Sequence, residues 1–131
     1  YNDIGRHQSR MVRTRVASNK SPWLMETKPG DIYSVPISHG EGRFYAPADV
    51  IASLAANGQI ATQYVHLDGN ASRDIHFNPN GSIFAIEGIT SPDGRVFGKM
   101  GHSERVGAGL YTNVPGNYDI RMFEAAVKYF K

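Results

Sequence analysis

The sequence predicts an α/β chain that is rich in strands and ends on a helix. Three observations carry this. Strand-like stretches outnumber helical ones, roughly five to two. Two apolar runs flank Ser91-Pro92-Asp93-Gly94 and read as a hairpin. Near the end, Ile120, Phe123, Val127 and Phe130 recur at spacings of 3, 4 and 3, the period of an amphipathic helix. A parallel α/β sheet carries about one helix per strand. Two helices therefore suit a mixed α+β unit, or an α/β domain whose further elements lie on the N-terminal side.

Each element has a local reason. "SRMVRTRVAS" alternates, with Val12, Thr14 and Val16 on one face and Met11, Arg13 and Arg15 on a wetter one. "NKSPWLMETKPGD" is a loop by its prolines and glycine, with Trp23, Leu24 and Met25 free to pack beneath it. "DIYSVPISHGEGRFYA" reads as a strand interrupted at Pro36 and at Gly40 and Gly42. "PADVIASLAANG" predicts a helix: Pro47 suits its first turn, Asp49 complements the dipole and Asn57-Gly58 stops it. Its apolar face is Val50, Ile51, Leu54 and Ala55. "QIATQYVHLD" predicts a strand, and Asn78-Pro79-Asn80-Gly81 a bend. A glycine-rich stretch between residues 107 and 116 leads to the last helix, with Asn117 as its cap and Asp119 in its first turn.

Composition narrows the class. The 131 residues suit a single domain. An apolar content of 40 % and a charged content of 20 % suit a globular chain rather than a disordered one. The net charge is +2, from 14 basic and 12 acidic residues, too weak to argue for nucleic acid. No apolar run approaches the roughly 18 residues of a membrane span, so no membrane partner is expected. With no cysteine, no disulfide can form and a reducing compartment is allowed.

The chemistry gathers at "GKMGHSERVG". His102 and Glu104 stand two apart after a strand-like run. In an extended chain residues i and i+2 share a face, so the carboxylate reaches the imidazole. Such a pair is the base and orienter of a hydrolytic triad, or an ordinary charge cluster at a strand end. Ser103 points the other way and is a poor nucleophile for the pair. In "SHGEGR", His39 and Glu41 repeat the spacing, as a second acid–base or metal-binding knot or as an edge strand with a bulge. His39, His66, His76 and His102 could form a zinc site only by arithmetic, since none has H-E-x-x-H spacing. "NPNGS" is an anion-holding loop or a plain tight turn.

Taken in order, "SHGEGRF", "FNPNGS" and "IEGITSPDGRVFGKMGHSER" resemble the glutaminase domain of the phosphoribosylformylglycinamidine synthase family, the amidotransferases of purine biosynthesis. The resemblance runs from about Arg10 to the end, and "NVPGNYDIRMFEAAVKYF" is similar to the C-terminus of the family's single-chain form. It implies an open, flavodoxin-like α/β sheet of a class I glutamine amidotransferase, here its strand-rich C-terminal portion. It implies His102 as general base and acid and Glu104 as its orienter. Its substrate would be glutamine. The ammonia would pass to a synthetase region of the same protein or to a partner subunit. There ATP and Mg2+ would drive conversion of formylglycinamide ribonucleotide to the amidine. No cofactor is implied within this segment, and a cytoplasmic setting is expected.

Two departures matter. The family often reads "MPHPER" where this chain has "MGHSER", so Gly101 and Ser103 replace prolines and loosen the backbone. The family's nucleophile is a cysteine on a strand-to-helix elbow ahead of the strand that "SRMVRTRV" resembles. This chain opens "YNDIGRHQSR", without an initiator methionine. Residues 1–131 are therefore expected to be an incomplete glutaminase domain, lacking the elbow half and inactive alone. The competing expectations are a non-catalytic interaction or structural module of a larger protein, and a hydrolase using Ser38, Ser82 or a metal. The serines lack a G-x-S-x-G elbow.

Overall fold

The structure, a computed structural model, describes residues 1–106, 110–111 and 113–131. The elements in chain order are β1 (Gln8–Val16), β2 (Ile32–His39), α1 (Ala48–Ala56), β3 (Ile60–Tyr64), β4 (Ile86–Thr90), β5 (Phe97–Lys99) and α2 (Met122–Phe130). Short 3-10 turns occupy Pro22–Leu24, Ile83–Ala85 and Ser103–Arg105. The α/β class, the preponderance of strands and the C-terminal helix are those the sequence predicts. The glycine-rich stretch expected between 107 and 116 falls partly outside the described residues, at 107–109 and 112.

The sheet runs β2-β1-β3-β4-β5, and every pairing is antiparallel. β2 and β5 are its opposite edges. Yet Gly101, two residues past β5, forms an antiparallel bridge with Ile37 of β2. The sheet curls far enough for its last strand to return to its first, as accumulated strand twist allows.

β1 follows its alternation. Val12, Thr14 and Val16 are buried and lie opposite Val35, Tyr33 and the start of β2. Val12, Val35, Ile37, Tyr64 and Ala85 form one apolar cluster. Val16, Leu24, Tyr33, Ala61, Ile120 and Met122 form another. A fully buried Leu or Ile in such clusters contributes about 1.5–3 kcal/mol. Of the loop residues expected to pack, Leu24 is buried, Trp23 half-buried with its indole N–H donating to the Arg95 carbonyl at 2.9 Å, and Met25 exposed.

Pro36 does not interrupt β2. It pairs opposite Met11 within an unbroken ladder. β2 is an edge strand, so a residue without an N–H is tolerated on the outward side. The Pro36 carbonyl accepts a hydrogen bond from the His102 N–H at 2.8 Å.

The helices differ in detail from their predicted faces. On α1 only Ile51 is buried, and Val50 and Ala55 face outward. α2 starts later than Asn117. The Asn117 and Asp119 side chains accept from the backbone N–H groups of Asp119 and Arg121, forming local turns that compete with helix. α2 buries Met122, Ala125 and Ala126, while Phe123, Val127 and Phe130 are largely exposed. Phe123 and Phe130 still touch Trp23, with ring centroids at 6.4 and 6.3 Å.

"SHGEGRF" and "NPNGS" are tied to each other. Asn80 is 0 % exposed, and its amide donates to the Gly42 carbonyl and to the Tyr64 hydroxyl at 3.0 Å. The Phe44 N–H donates to Ser82 Oγ at 2.9 Å and the Ile83 N–H to the Phe44 carbonyl at 3.0 Å. Asn78 receives the Ser82 N–H on its amide oxygen and donates to the Ser72 and Ser82 carbonyls. The backbone N–H groups of Asn78, Gly81 and Ser82 are used internally rather than turned to an anion. Removing the Asn80 amide strands buried acceptors, so Asn80→Ala should lower unfolding free energy by about 1–3 kcal/mol. Urea titration of the natural protein reads this as a lower midpoint; an unchanged midpoint would count against the knot.

Candidate active site

His102 lies directly after the bridge that closes the sheet. Its N–H is held by Pro36, and its carbonyl accepts from the Arg105 N–H at 3.0 Å. His102 Nδ1 stands 2.6 Å from Glu104 Oε1. The two residues meet, though not by the extended spacing that the sequence suggested. The chain turns into the 3-10 segment Ser103–Arg105, and that turn brings the carboxylate back to the ring.

The geometry sets the chemistry. An ionised carboxylate only accepts, so Nδ1 must carry the proton and Nε2 is left as the acceptor. The hydrogen bond from His102, and then its own backbone amide, hold the Glu104 carboxyl below its ordinary value. It stays ionised at neutral pH and can stabilise an imidazolium. Glu104 is 56 % exposed, so the pair adds little to stability; its effect is on orientation. The His102 side chain is 29 % exposed. It borders a cleft of about 310 Å³ with Lys99, Glu104, Met122 and Phe123 among its walls.

No serine in the described residues completes a triad with this pair. Ser103 is buried and its Oγ accepts from Lys99 Nζ at 2.8 Å. Ser82 Oγ is engaged in the loop knot, contacting Asn80 Oδ1 at 3.1 Å. Ser38 Oγ lies 3.1 Å from His7 Nε2, but no carboxylate orients that ring among the described residues.

His39 does not pair with Glu41. Asn2 donates its amide N–H groups to the Arg6 and His39 carbonyls, which fixes the direction of the amide. Its oxygen then accepts from the Gly42 N–H and from His39 Nδ1, each at 3.1 Å. A Cβ on Gly42 would collide with the His39 ring, so glycine is required there. His39 Nε2 is left buried with no partner. His66 packs on Phe77 and His76 on Asp74. No group of three or more His, Cys, Asp or Glu able to hold a metal occurs among the described residues.

Two residues near the pair were not singled out from sequence. Glu87 interrupts the apolar run "IFAIEGIT" of β4, and a lone acid in such a run was the available signal. Its partner Lys99 closes β5 and offered no sequence signal of its own.

The curled sheet follows a known class of domain. A profile of the CobB/CobQ-like glutamine amidotransferase domain matches residues 1–130, and the chain belongs to that family. Within it, the relatives are those the motifs pointed to. The phosphoribosylformylglycinamidine synthase subunit PurQ of Thermomicrobium roseum is 42 % identical over 94 residues, covering 72 % of this chain and 39 % of the relative. PurQ of Chlorobaculum tepidum is 37 % identical over 120 residues, covering 92 % of this chain and 49 % of the relative. The fold is similar to a chain in the structure of PurLQS from Thermotoga maritima, with a TM-score of 0.73 and 28 % identity over 99 % of this chain and 51 % of that one. The chain thus spans between 39 % and 51 % of the length of these proteins. No helix among the described residues is long and apolar enough to cross a membrane.

Burial, and then repulsion from His7 and His102, push His39 below its ordinary value of 6.5. The unfolded chain then binds the proton more readily, so stability is complete above pH 6.5 and falls as pH drops below it. Denaturant titrations between pH 7.5 and about 5.5 should show this loss, and His39→Gln should flatten it. The same slope in both proteins would assign the effect elsewhere.

Proposed function

We propose that this chain is the His–Glu portion of a glutaminase domain whose nucleophile is a cysteine outside these 131 residues. The observation that carries the reading is the 2.6 Å contact between His102 Nδ1 and Glu104 Oε1, which leaves Nε2 to exchange a proton. The family and the PurQ relatives support it.

The steps follow from those roles. His102 Nε2 takes the thiol proton, and the thiolate attacks the side-chain amide carbon of glutamine. The C–N bond breaks, and the imidazolium returns the proton to the departing ammonia. Water, deprotonated by His102, then attacks the thioester. Glutamate leaves and the thiol is restored. Glu104 holds the ring in one tautomer and stabilises its charged form in both halves. A serine would not substitute, since a thiol ionises far more readily than a hydroxyl.

The ammonia passes to a synthetase region, in the same protein or in a partner subunit. There ATP would phosphorylate the glycinamide carbonyl oxygen of formylglycinamide ribonucleotide, giving ADP, and ammonia would displace that phosphate to leave the amidine. ATP and Mg2+ would bind in that region. The setting is cytoplasmic purine biosynthesis. A docking role accompanies catalysis: Phe123, Val127, Tyr129 and Phe130 on α2 are all exposed, as an interface face would be.

In the natural protein, His102→Ala should cut glutamine hydrolysis about 10²–10⁴-fold while glutamine KM changes little. Normal kcat in that variant would overturn the assignment. The 131-residue chain alone should release no ammonia from glutamine; turnover by it would overturn the external cysteine.

A further inference from the structure

We propose that Glu87, together with Lys99, is a positioning residue for the His102–Glu104 pair. The inference rests on the reading of His102 as the base. Glu87 is 3 % exposed on β4, inside the curl. One carboxylate oxygen accepts from the Thr62 hydroxyl. The other accepts from the Gly101 N–H at 2.6 Å. The Glu87 carbonyl accepts from the Met100 N–H at 3.1 Å. Glu87 therefore grips two consecutive residues immediately before His102.

Lys99 grips the residue immediately after it. Its ammonium donates to Ser103 Oγ at 2.8 Å and lies 3.9 Å from Glu87 Oε1. The Lys99 side chain is 9 % exposed. Both backbone groups of His102 are also held, by Pro36 and Arg105. These charged side chains thus hold Gly101 and Ser103, on either side of His102. A Cβ at Gly101 would come 2.7 Å from Val35 Cγ1 and 2.9 Å from Glu87 Oε1. The bare backbone is what allows that approach.

Stability is a weak reason for such a pair. Apolar residues of similar volume often stabilise an interior as well as a buried ion pair does. What an apolar residue cannot do is accept the Gly101 N–H. Misplacing a reacting group by about 1 Å can cost about 10²-fold in rate. A device that fixes the residues on either side of the base has an effect on turnover that its contribution to folding would not reveal.

The test uses the natural protein and follows kcat and KM for glutamine hydrolysis with thermal stability. Glu87→Gln keeps an acceptor for Gly101 and should hold kcat within about threefold, whereas Glu87→Leu should lower kcat at least about tenfold at unchanged KM. Lys99→Met keeps the aliphatic stem and should lower kcat to a smaller extent, and it decides the matter should Glu87→Leu not fold. Wild-type kcat in a folded Glu87→Leu or Lys99→Met, beside an inactive His102→Ala, overturns the positioning role and leaves the base assignment standing. Losses that track only the fraction folded overturn it too. Activity in His102→Ala itself removes the base assignment, and the inference with it.

Discussion

The bridge between Gly101 and Ile37 is the contact on which the rest of the structure depends. It joins the two ends of a sheet that would otherwise present β2 and β5 as separate edges. An open edge leaves unpaired N–H and C=O groups. Here the edge of β2 is used: Asn117 accepts from Ser34, Pro36 accepts from His102, and Gly40 accepts from Asn2. His102 is placed by this closure, since it is the next residue along. The histidine therefore sits where strand pairing ends and the chain turns, with its backbone fixed and its ring held through Nδ1 by Glu104.

The closure is supported from inside by polar groups. Glu87 and Thr62 on one side, and Asn78, Asn80 and Ser82 on the other, are buried and hydrogen-bonded, and half-buried Lys99 joins the first group. Buried polar groups cost free energy unless paired, and a fully paired network specifies one arrangement. The two apolar clusters hold the strands together, while these networks fix the register of the loops between them. Gly42 and Gly101 serve both, because each allows backbone to approach where a Cβ would collide. The segments "SHGEGRF" and "GKMGHSER" are in this sense one construction, built on the same edge strand.

Much of this was legible in the sequence, for reasons that are local. The alternation of β1, the Pro-Asp-Gly turn between β4 and β5, and the Asn57-Gly58 stop of α1 each depend on neighbouring residues, and each is present. Gly58 and Gly94 have the positive φ such turns use. The pairing of His102 with Glu104 was also legible, though through a turn instead of an extended strand. Features decided by distant partners were not. Pro36 reads as a strand breaker unless β2 is known to be an edge. The start of α2 was missed for a local reason instead: Asn117 and Asp119 each form a turn with the backbone two residues on rather than a cap. Glu87 reads as an anomaly in an apolar run until Gly101, fourteen residues on, is seen to donate to it.

Whether His102 serves a cysteine outside these residues, as proposed, can be seen in one structure. The natural protein can be alkylated with a diazoketone analogue of glutamine, which labels the thiol that attacks the amide. One labelled cysteine is expected, with its sulfur within about 4 Å of His102 Nε2 and Glu104 still on Nδ1. A label on any other residue type, or a labelled sulfur out of reach of His102, would contradict it.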